Sequence, residues 1–332
     1  MSDPIKLVMI GAGNHARRNI YPCLYRLEGA QIVANCDLRL DEAKKIAARH
    51  GISKSYDNID ALLTQEKPDA AIVCTGPAGH CSIAIDLLNR GVHVYTEKPT
   101  APSLADALRM LDAQKNSRGL VCMTAYKKRF APAYLKAKRI IDDTATFGER
   151  VGMNITRASS AGPQKSEQMR GHLLDWTCHT LDLGVFLFGP VIDVTTTTST
   201  KDGRYAWSVA MRHADGCVSH QLFTNSTNMP EEQVYVCGSN GVVLTIANSI
   251  NLTALKSGKP FDGHYPSFTT GSNFGDEEQG YSGELIEFVK AVREKREPEA
   301  NIRQACHALA IFEAMWASAQ AGGQTQKVEF QA

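Results

Sequence analysis

The sequence predicts an α/β protein with an amino-terminal, doubly wound parallel sheet and a carboxy-terminal α+β domain containing a large, open, mostly antiparallel sheet. The chain has 332 residues, which is too many for one ordinary domain and suits two. Up to residue 124, short apolar runs alternate with helical patterns, as in parallel sheets. From about residue 151 to 255, consecutive strand patterns with hairpin turns replace them. We therefore predict domains at residues 1–124 and 125–332, with the last helices able to pack back on the first domain.

The composition limits the classes of function. Hydrophobic residues are 43% and charged residues 21% of the chain, which is typical of a soluble globular protein. The net charge of +1 indicates neither nucleic acid nor a membrane surface as a partner. Residues 1–4 lack the basic and apolar segments of a secretory signal. The nine cysteines are dispersed and mostly lie in apolar runs, so we expect reduced, buried thiols in a cytoplasmic protein.

The first predicted strand, residues 6–10, leads directly into a G-x-G-x-x-A loop at residues 11–16, and a helical pattern follows. The glycines allow a tight turn and close approach of a pyrophosphate, which the helix amides then face. The next strand ends in Asp37, whose carboxylate can accept hydrogen bonds from both hydroxyls of an adenosine ribose. This pattern predicts a Rossmann domain that binds NAD in preference to NADP. Arg39 lies close enough to weaken that preference.

The alternation of helices and strands continues to residue 124. Ligands of such sheets bind beyond the carboxyl ends of the strands, so we expect three strand ends to form one crevice. The end at Lys98 is the most informative, because a desolvated lysine is a candidate proton-transfer group. The alternative is a charged strand end followed by a turn at Pro99. The predicted helices span residues 17–27, 41–50, 59–65, 81–90 and 103–116, and the later strands span residues 31–36, 70–74, 92–96 and 120–124.

A helix predicted over residues 171–188 places a stripe of polar side chains on one face: His172, Asp175, His179 and Asp182. We expect this stripe to line a wet space, because the opposite face is apolar. A plain solvated face is the usual alternative. A zinc site is less favoured, because the spacing matches no strong zinc pattern.

The rest of the second half is rich in predicted strands. We expect a long loop over residues 257–280, in which His264, Tyr265 and, just beyond it, Tyr281 can contact a substrate. A surface loop without function is the equal alternative. Helices over residues 282–295 and 304–320 are expected to be packing elements. The predicted strands span residues 151–156, 192–200, 206–213, 218–225, 233–237 and 242–247.

Taken together, these segments resemble the glucose–fructose oxidoreductase/inositol dehydrogenase (Gfo/Idh/MocA) family over nearly the whole chain. Tyr126 departs from the family pattern, which usually has asparagine there. The stretch at 126–132 is similar to the family's Asn-Arg-Arg-Phe-x-Pro, and the helix at 175–182 to its Asp-x-x-x-His-x-x-Asp. The other segments that carry the resemblance are residues 11–13, Asp37, the segment 75–80 and the segment 91–99 that contains Glu-Lys-Pro.

The resemblance implies an NAD(P)-dependent dehydrogenase or reductase of sugars, cyclitols or their derivatives. It also implies a cis Lys98–Pro99 bond and a second subunit on the open sheet, so we expect a homodimer or homotetramer. Lys98 and His179 are expected to handle the proton of the reacting hydroxyl, in an order that the sequence leaves open. Substrate contacts are expected from Asp175, Arg129, Arg157 and Tyr281, with Arg157 and Arg170 each either meeting an anionic group or lying at the surface.

The expected cofactor contacts come from the three strand ends and from Tyr126. We expect NAD as the cofactor, a small sugar or cyclitol as the partner, and neither a metal ion nor a nucleic acid. The residues are Gly11, Gly13, Asn14, His15, Asp37, Arg39, Thr75, Gly76, Pro77, His80, Glu97, Lys98 and Tyr126.

Three other functions fit parts of the sequence. Tyr134 and Lys138 match the Tyr-x-x-x-Lys pair of short-chain dehydrogenases, although an ordinary helix is the better interpretation. A non-catalytic NAD-binding sensor would keep the Rossmann domain. An enzyme that retains NAD and uses it transiently in glycoside hydrolysis or isomerisation would keep the same fold.

Overall fold

The structure is a computed structural model that describes residues 3–117, 119–159, 162, 168–227, 230–264, 275 and 277–330. The chain forms two compact units, and each is described by itself. Unit 1 consists of Met1–Tyr126 and Tyr281–Ala305, and unit 2 of Lys127–Gly280 and Cys306–Ala332.

The elements alternate in unit 1 and are mostly strands in unit 2. The strands are β1 (Ile5–Ile10), β2 (Ala30–Cys36), β3 (Ser55–Tyr56), β4 (Ala70–Val73), β5 (His93–Thr96), β6 (Cys122–Thr124), β7 (Arg150–Ala158), β8 (Val191–Lys201), β9 (Arg204–His213), β10 (Val218–Thr224), β11 (Glu231–Gly238), β12 (Val242–Ala247), β13 (Asn251–Lys256), β14 (Lys259–His264) and β15 (Gln326–Lys327). The helices are α1 (Leu40–His50), α2 (Ile59–Glu66), α3 (Pro77–Asn89), α4 (Leu104–Asn116), α5 (Pro132–Asp142), α6 (Thr144–Phe147), α7 (Met169–Phe188), α8 (Tyr281–Glu294) and α9 (Ile302–Gln320).

Unit 1 is built on a parallel sheet in the order β3-β2-β1-β4-β5-β6, as the alternating pattern predicts. The last four residues of β1 and all four of β4 are buried, as expected for strands with both faces covered. The strand order reverses between β1 and β4, and open parallel sheets bind their ligands at such a point. The sequence therefore places its glycine loop, which follows β1, at the switch point of the sheet.

The helical segment after β1 differs from the regular helix predicted at 17–27. It contains a π-helical turn over Ala16–Ile20 and a 3₁₀ segment over Tyr21–Arg26. Pro22 has no amide hydrogen and so cannot take part in a continuous α-helical ladder. Irregular turns of this kind often accompany functional sites.

Unit 2 is built on a sheet in the order β14-β13-β12-β11-β7-β10-β9-β8-β15, within the described part of the chain. Only β7 and β10 pair in parallel among these strands, so the predicted, mostly antiparallel sheet is confirmed. The inner residues of β7, β11 and β12 form a core with α5 and α7, to which Tyr134, Phe147 and Phe188 contribute. The other face of the central strands carries exposed side chains.

Two sequence predictions for unit 2 are corrected. Residues 259–264, predicted within a long loop, form β14 and pair with β13. The polar stripe of α7 is not uniformly wet, because His179 and Asp182 are buried whereas Asp175 is exposed. The side chain of His264 and the whole of Tyr265 lie outside the described residues. No helix of the described ranges is both long and apolar enough to cross a bilayer.

Candidate functional site

The glycine loop of unit 1 is held between the ends of three strands. The amide of Gly11 donates to the carbonyl oxygen of Cys36 at 2.8 Å, and the amide of Cys74 donates to that of Ile10 at 2.8 Å. Gly11 has a φ of +109°, and a Cβ there would lie 2.1 Å from the carbonyl oxygen of Cys74. Position 11 therefore requires glycine. A Cβ at Gly13 would meet no atom within 4 Å, which leaves open space where the fingerprint brings a pyrophosphate.

Asp37 follows β2, and its carboxylate is fixed by the backbone. Oδ2 accepts from the amide of Ala12 at 2.7 Å, and Oδ1 accepts from the amide of Arg39 at 3.0 Å. The side chain of Arg39 lies 3.5 Å from the same Oδ1. The acid that would bind a ribose is thus joined to the glycine loop itself.

A cavity of about 820 Å³ opens beside this loop. Its lining includes Gly13, Asp37 and Leu38, together with Asp57, which follows β3. The volume lies within the range of small-molecule and cofactor sites. The cavity is lined by residues that follow β1, β2, β3 and β4, as a nucleotide site in a doubly wound sheet requires.

His80 connects the loops that follow β4 and β5. Its Nε2 accepts from the amide of Thr75 at 3.0 Å, so Nδ1 carries the proton and donates to the carbonyl oxygen of Pro99 at 2.9 Å. Burial lowers the pKa of His80, which keeps this neutral tautomer. Both ring nitrogens are therefore used within the protein, and His80 fixes the backbone beside Gly76 and Pro77. Direct contact of His80 with a cofactor stays a prediction.

Glu97 and Lys98 follow β5, and the Lys98–Pro99 bond is cis, as the resemblance implies. Glu97 is buried, with Oε1 3.1 Å from Nε2 of His15 and Oε2 accepting from the amide of Lys98 at 3.1 Å. Burial raises the pKa of the Glu97 carboxyl, but His15 and Lys98 outweigh this effect and lower it. Glu97 is therefore an anion that holds Lys98 at the strand end and His15 at the glycine loop. Lys98 is partly exposed.

Helix α8 belongs to unit 1 and begins near the same loop. The ring of Tyr281 lies 6.0 Å from that of His15, centre to centre. Burial raises the pKa of Tyr95 on β5 well above its usual value, and the nearby charge of Glu284 on the same helix raises it further. Tyr126, at the end of the first stretch of unit 1, is buried. The substrate role of Tyr281 and the cofactor role of Tyr126 stay predictions, as does that of Asn14, which is exposed.

In unit 2, α7 carries Asp175 and His179 one turn apart. Asp182, one turn further, is buried and accepts two hydrogen bonds from Arg129, at 2.8 Å from Nε and 2.7 Å from Nη2. Arg129 also lies over the ring of Phe186, 5.4 Å from its centre. This pairing gives Arg129 a structural role, and its contact with a substrate stays a prediction.

A second buried ion pair of unit 2 lies on the inner face of its sheet. Glu232 of β11 accepts from Lys128 at 2.6 Å, from Tyr134 at 2.7 Å and from Ser249 at 2.9 Å. Burial raises the pKa of Glu232, but the charges of Lys128 and Arg157 outweigh it and lower the pKa to about 2. Sequence reasoning missed this cluster, although an acid at an inward position of β11 was a usable signal.

The environment of Tyr134 and Lys138 excludes the short-chain dehydrogenase interpretation. Both lie on α5, where Tyr134 is buried against Glu232 and Lys138 pairs with Asp142.

Arg170, which the sequence offers for an anionic group or the surface, is paired with Glu313 at 2.6 Å. Among the described residues, no group of three or more histidine, cysteine, aspartate or glutamate side chains is arranged to hold a metal ion.

Two family models match the chain. Residues 5–126 match an oxidoreductase family with an NAD-binding Rossmann fold, and residues 151–330 match the carboxy-terminal α/β domain of the same family. The chain belongs to the Gfo/Idh/MocA oxidoreductase family. It is therefore an oxidoreductase whose cofactor is NAD, and the free space at Gly13, the fixed carboxylate of Asp37 and the adjoining cavity fit that dinucleotide.

Relatives and solved structures of the Gfo/Idh/MocA family agree with this assignment. The chain is 26% identical over 312 residues to 4-carboxy-2-hydroxymuconate-6-semialdehyde dehydrogenase of a Sphingobium species, covering 90% of this chain and 93% of the relative. It is 27% identical to myo-inositol 2-dehydrogenase of Thermotoga maritima over about half of each chain, 51%. A dehydrogenase of Chromobacterium violaceum shares the fold with a TM-score of 0.88 at 22% identity, over 96% of both chains.

Proposed function

We propose that the protein transfers a hydride between NAD(H) and a secondary alcohol or ketone of a sugar, cyclitol or sugar derivative. The observation that carries the proposal is that an NAD cleft and a lysine, Lys98, both lie at strand ends of the same parallel sheet. The lysine follows β5 of that sheet. The names of relatives support the substrate class, since they include inositol 2-dehydrogenases and a D-glucoside 3-dehydrogenase.

The proton is assigned to Lys98. When the alcohol is oxidised, its carbon loses a hydride and its oxygen loses a proton, which leaves a ketone. Bound NAD would supply the hydride acceptor. Lys98 takes that proton at Nζ, with His179 as its partner or as the alternative base. Glu97 supports this role, because it fixes the backbone amide of Lys98. Reduction runs the same steps in reverse.

Asp175 is assigned to a substrate hydroxyl. Its carboxylate is exposed on α7 and lies one turn before the buried His179, so both present polar groups from the same helix. Arg157, Arg129 and Tyr281 complete the proposed substrate contacts. The proposed cofactor contacts are those predicted from the three strand ends.

A preference for NAD over NADP follows from charge at the ribose end of the cavity. Asp37 presents a carboxylate there, and Asp57 after the neighbouring strand adds a second one. Arg90 in the same lining is already paired with Asp60 at 2.5 Å and Asp86 at 2.9 Å. A 2′-phosphate would therefore meet net negative charge, which Arg39 reduces only in part.

We also propose that a second copy of the chain covers the outer face of the unit 2 sheet. Val218 and Tyr235 are exposed there among small neutral side chains such as Thr195 and Ala210, and the carboxylate of Asp193 is paired with Arg212 and Lys327. An apolar face with little net charge can meet its own copy without repulsion, as a twofold interface requires. The result would be a homodimer or homotetramer.

Two further proposals concern the cellular compartment and the domain boundary. The cysteines of the described residues are thiols, which suits a reducing compartment such as the cytoplasm. The domain boundary between residues 124 and 125 stays a prediction.

The test is formation of NADH from NAD⁺, or of NADPH from NADP⁺, during incubation with a panel of sugars, cyclitols and uronic acids. We expect stoichiometric NADH with one class of substrate, and a loss of more than about 100-fold in turnover for Lys98→Ala. Lys115→Ala, which changes an exposed lysine on α4, serves as the matched control. Substrate turnover without net NADH would contradict the proposal and favour an enzyme that retains its cofactor.

A further inference from the structure

The side chain of Arg157 is a cation that forms no hydrogen bond to the described residues of unit 2. It lies on β7 with its Nη1 atom buried and 3.7 Å from Oε2 of Glu232, which is too far for a hydrogen bond. Its guanidinium carbon lies 5.8 Å from the ring centre of Trp176. About a fifth of the side chain, 21%, is exposed. Arg157 is therefore held by stacking and by charge, and part of its side chain reaches solvent.

The charges around Arg157 do not balance. Lys128 and Arg157 are two cations that share one carboxylate, that of Glu232. Lys128 lies closer to Glu232, at 2.6 Å, and is almost completely buried, whereas Arg157 reaches solvent. Tyr134 and Ser249 complete the cluster as neutral donors. Lys128, Arg157 and Glu232 together carry one net positive charge. Of the two cations, only Arg157 can be reached by a ligand.

Aromatic rings surround the same guanidinium. Trp176 is stacked on His172 with ring centres 5.8 Å apart and meets Tyr205 edge to face at 6.3 Å. The hydroxyl of Tyr205 hydrogen-bonds Nε2 of His172 at 2.8 Å, which fixes this wall. Trp176 precedes His179 by three residues on α7. A ligand that reaches the guanidinium of Arg157 therefore also comes close to Trp176.

We propose that Arg157 binds the carboxylate of the substrate, so that the substrate class is a sugar acid such as a uronic acid. The inference rests on the proposed function and narrows it. Guanidinium and carboxylate groups form paired hydrogen bonds, for which the planar fork of Arg157 is suited. A phosphate monoester would bring about −1.5 to −2 charges and overcompensate the cluster. Arg170 is excluded from this role because Glu313 already pairs with it.

The first arm of the test measures binding without catalysis. The intrinsic tryptophan fluorescence of the NAD⁺-loaded Lys98→Ala variant, which is expected not to turn over, is titrated with D-glucuronate, D-glucose and D-glucose 6-phosphate. We expect D-glucuronate to change the emission at the lowest concentration, because the carboxylate reaches the cation that lies over Trp176. Trp176→Phe should abolish the signal. Trp316→Phe should keep it, because Trp316 stacks on Trp207 instead.

The second arm measures discrimination in the dehydrogenase assay. The ratio of kcat/KM for a uronic acid to kcat/KM for its neutral parent sugar should fall about 10- to 100-fold in Arg157→Gln, as expected for the loss of charged hydrogen bonds. Arg157→Lys should keep part of the ratio, because it retains the charge without the planar fork. Arg170→Gln should leave the ratio unchanged, and thermal melting of each variant checks its folding.

The two proposals fail in different ways. Equal fluorescence responses to glucose and glucuronate, or a ratio unaltered in Arg157→Gln, would overturn the carboxylate site while NADH formation still supported the dehydrogenase. Tighter binding of glucose 6-phosphate than of glucuronate would also overturn it, in favour of a phosphorylated substrate. If no substrate yields NADH, the dehydrogenase proposal fails, and the fluorescence arm still decides whether Arg157 binds carboxylates.

Discussion

Replacing Glu232 by glutamine tests the account of the buried cluster most sharply. The pKa of Glu232 is lowered to about 2, because Lys128 and Arg157 outweigh the effect of its burial. An unfolded chain has a glutamate pKa of about 4.3, and each unit of pKa difference corresponds to about 1.4 kcal/mol. The ionised carboxylate therefore stabilises the folded state by about 3 kcal/mol at neutral pH. Glu232→Gln should lose a similar amount, because it leaves Lys128 buried without a counter-charge.

The assay is thermal and urea unfolding followed by circular dichroism. For a unit of this size, we expect the variant to melt about 6–12 °C below the wild type. Asp142→Asn is the matched control, because it removes a carboxylate from an exposed pair with Lys138 and should cost less than about 1 kcal/mol. Adding Lys128→Met to Glu232→Gln should recover part of the loss, because the stranded cation is removed.

The pH dependence of stability supplies a second readout. A lowered pKa gives stability that is fully present above the unfolded value of about 4.3 and is lost as the pH falls toward about 2. The wild type should therefore lose its advantage over Glu232→Gln across that interval. The reasoning is refuted if Glu232→Gln costs less than about 1 kcal/mol at neutral pH, or if the two proteins keep the same difference in stability from pH 7 to pH 3.

Three further predictions concern the cofactor cleft and the outer sheet. Gly11→Ala should lower the melting temperature strongly, because its Cβ would clash with the carbonyl oxygen of Cys74; Gly13→Ala should melt normally and weaken NAD⁺ binding, and equal melting of both variants would contradict this. Asp37→Asn should raise the affinity for NADP⁺ relative to NAD⁺ by roughly tenfold in equilibrium titrations, and an unchanged ratio would remove Asp37 as the determinant. Val218→Asp should yield monomers in light scattering, because each copy would place a charge in the proposed interface; a mass equal to that of the wild type would place the interface elsewhere.

The sequence predicted unit 1 well because its signals are local. Each functional feature follows its strand within a few residues: the glycine loop follows β1, Asp37 follows β2 and Lys98 follows β5. The parallel sheet followed from the alternation of strand and helix patterns, and its order is the one that such patterns favour. The irregular helix after β1 was missed, because the helical period outweighed the single proline at position 22.

The polar contacts of unit 2 were not predictable in the same way. Asp182 and Arg129 are 53 residues apart, and Lys128 and Glu232 are 104 apart, so no local pattern joins them. Helical periodicity placed Asp182 on a polar stripe, but tertiary packing buried it against Arg129. Charged residues at inward positions of otherwise apolar elements were the available signal. They indicate that a buried partner exists, but not which residue it is.

The central claim is that Lys98 takes the proton while a hydride leaves the carbon of a polyol for NAD⁺. The most direct measurement uses a substrate labelled with deuterium at the oxidised carbon and follows the label by mass spectrometry, together with the rate for wild type, Lys98→Ala and His179→Ala. We expect the label to appear in the released nicotinamide cofactor, and Lys98→Ala to abolish nearly all of the transfer. Label that exchanges into water with no labelled NADH, or near-normal rates in both variants, would contradict it.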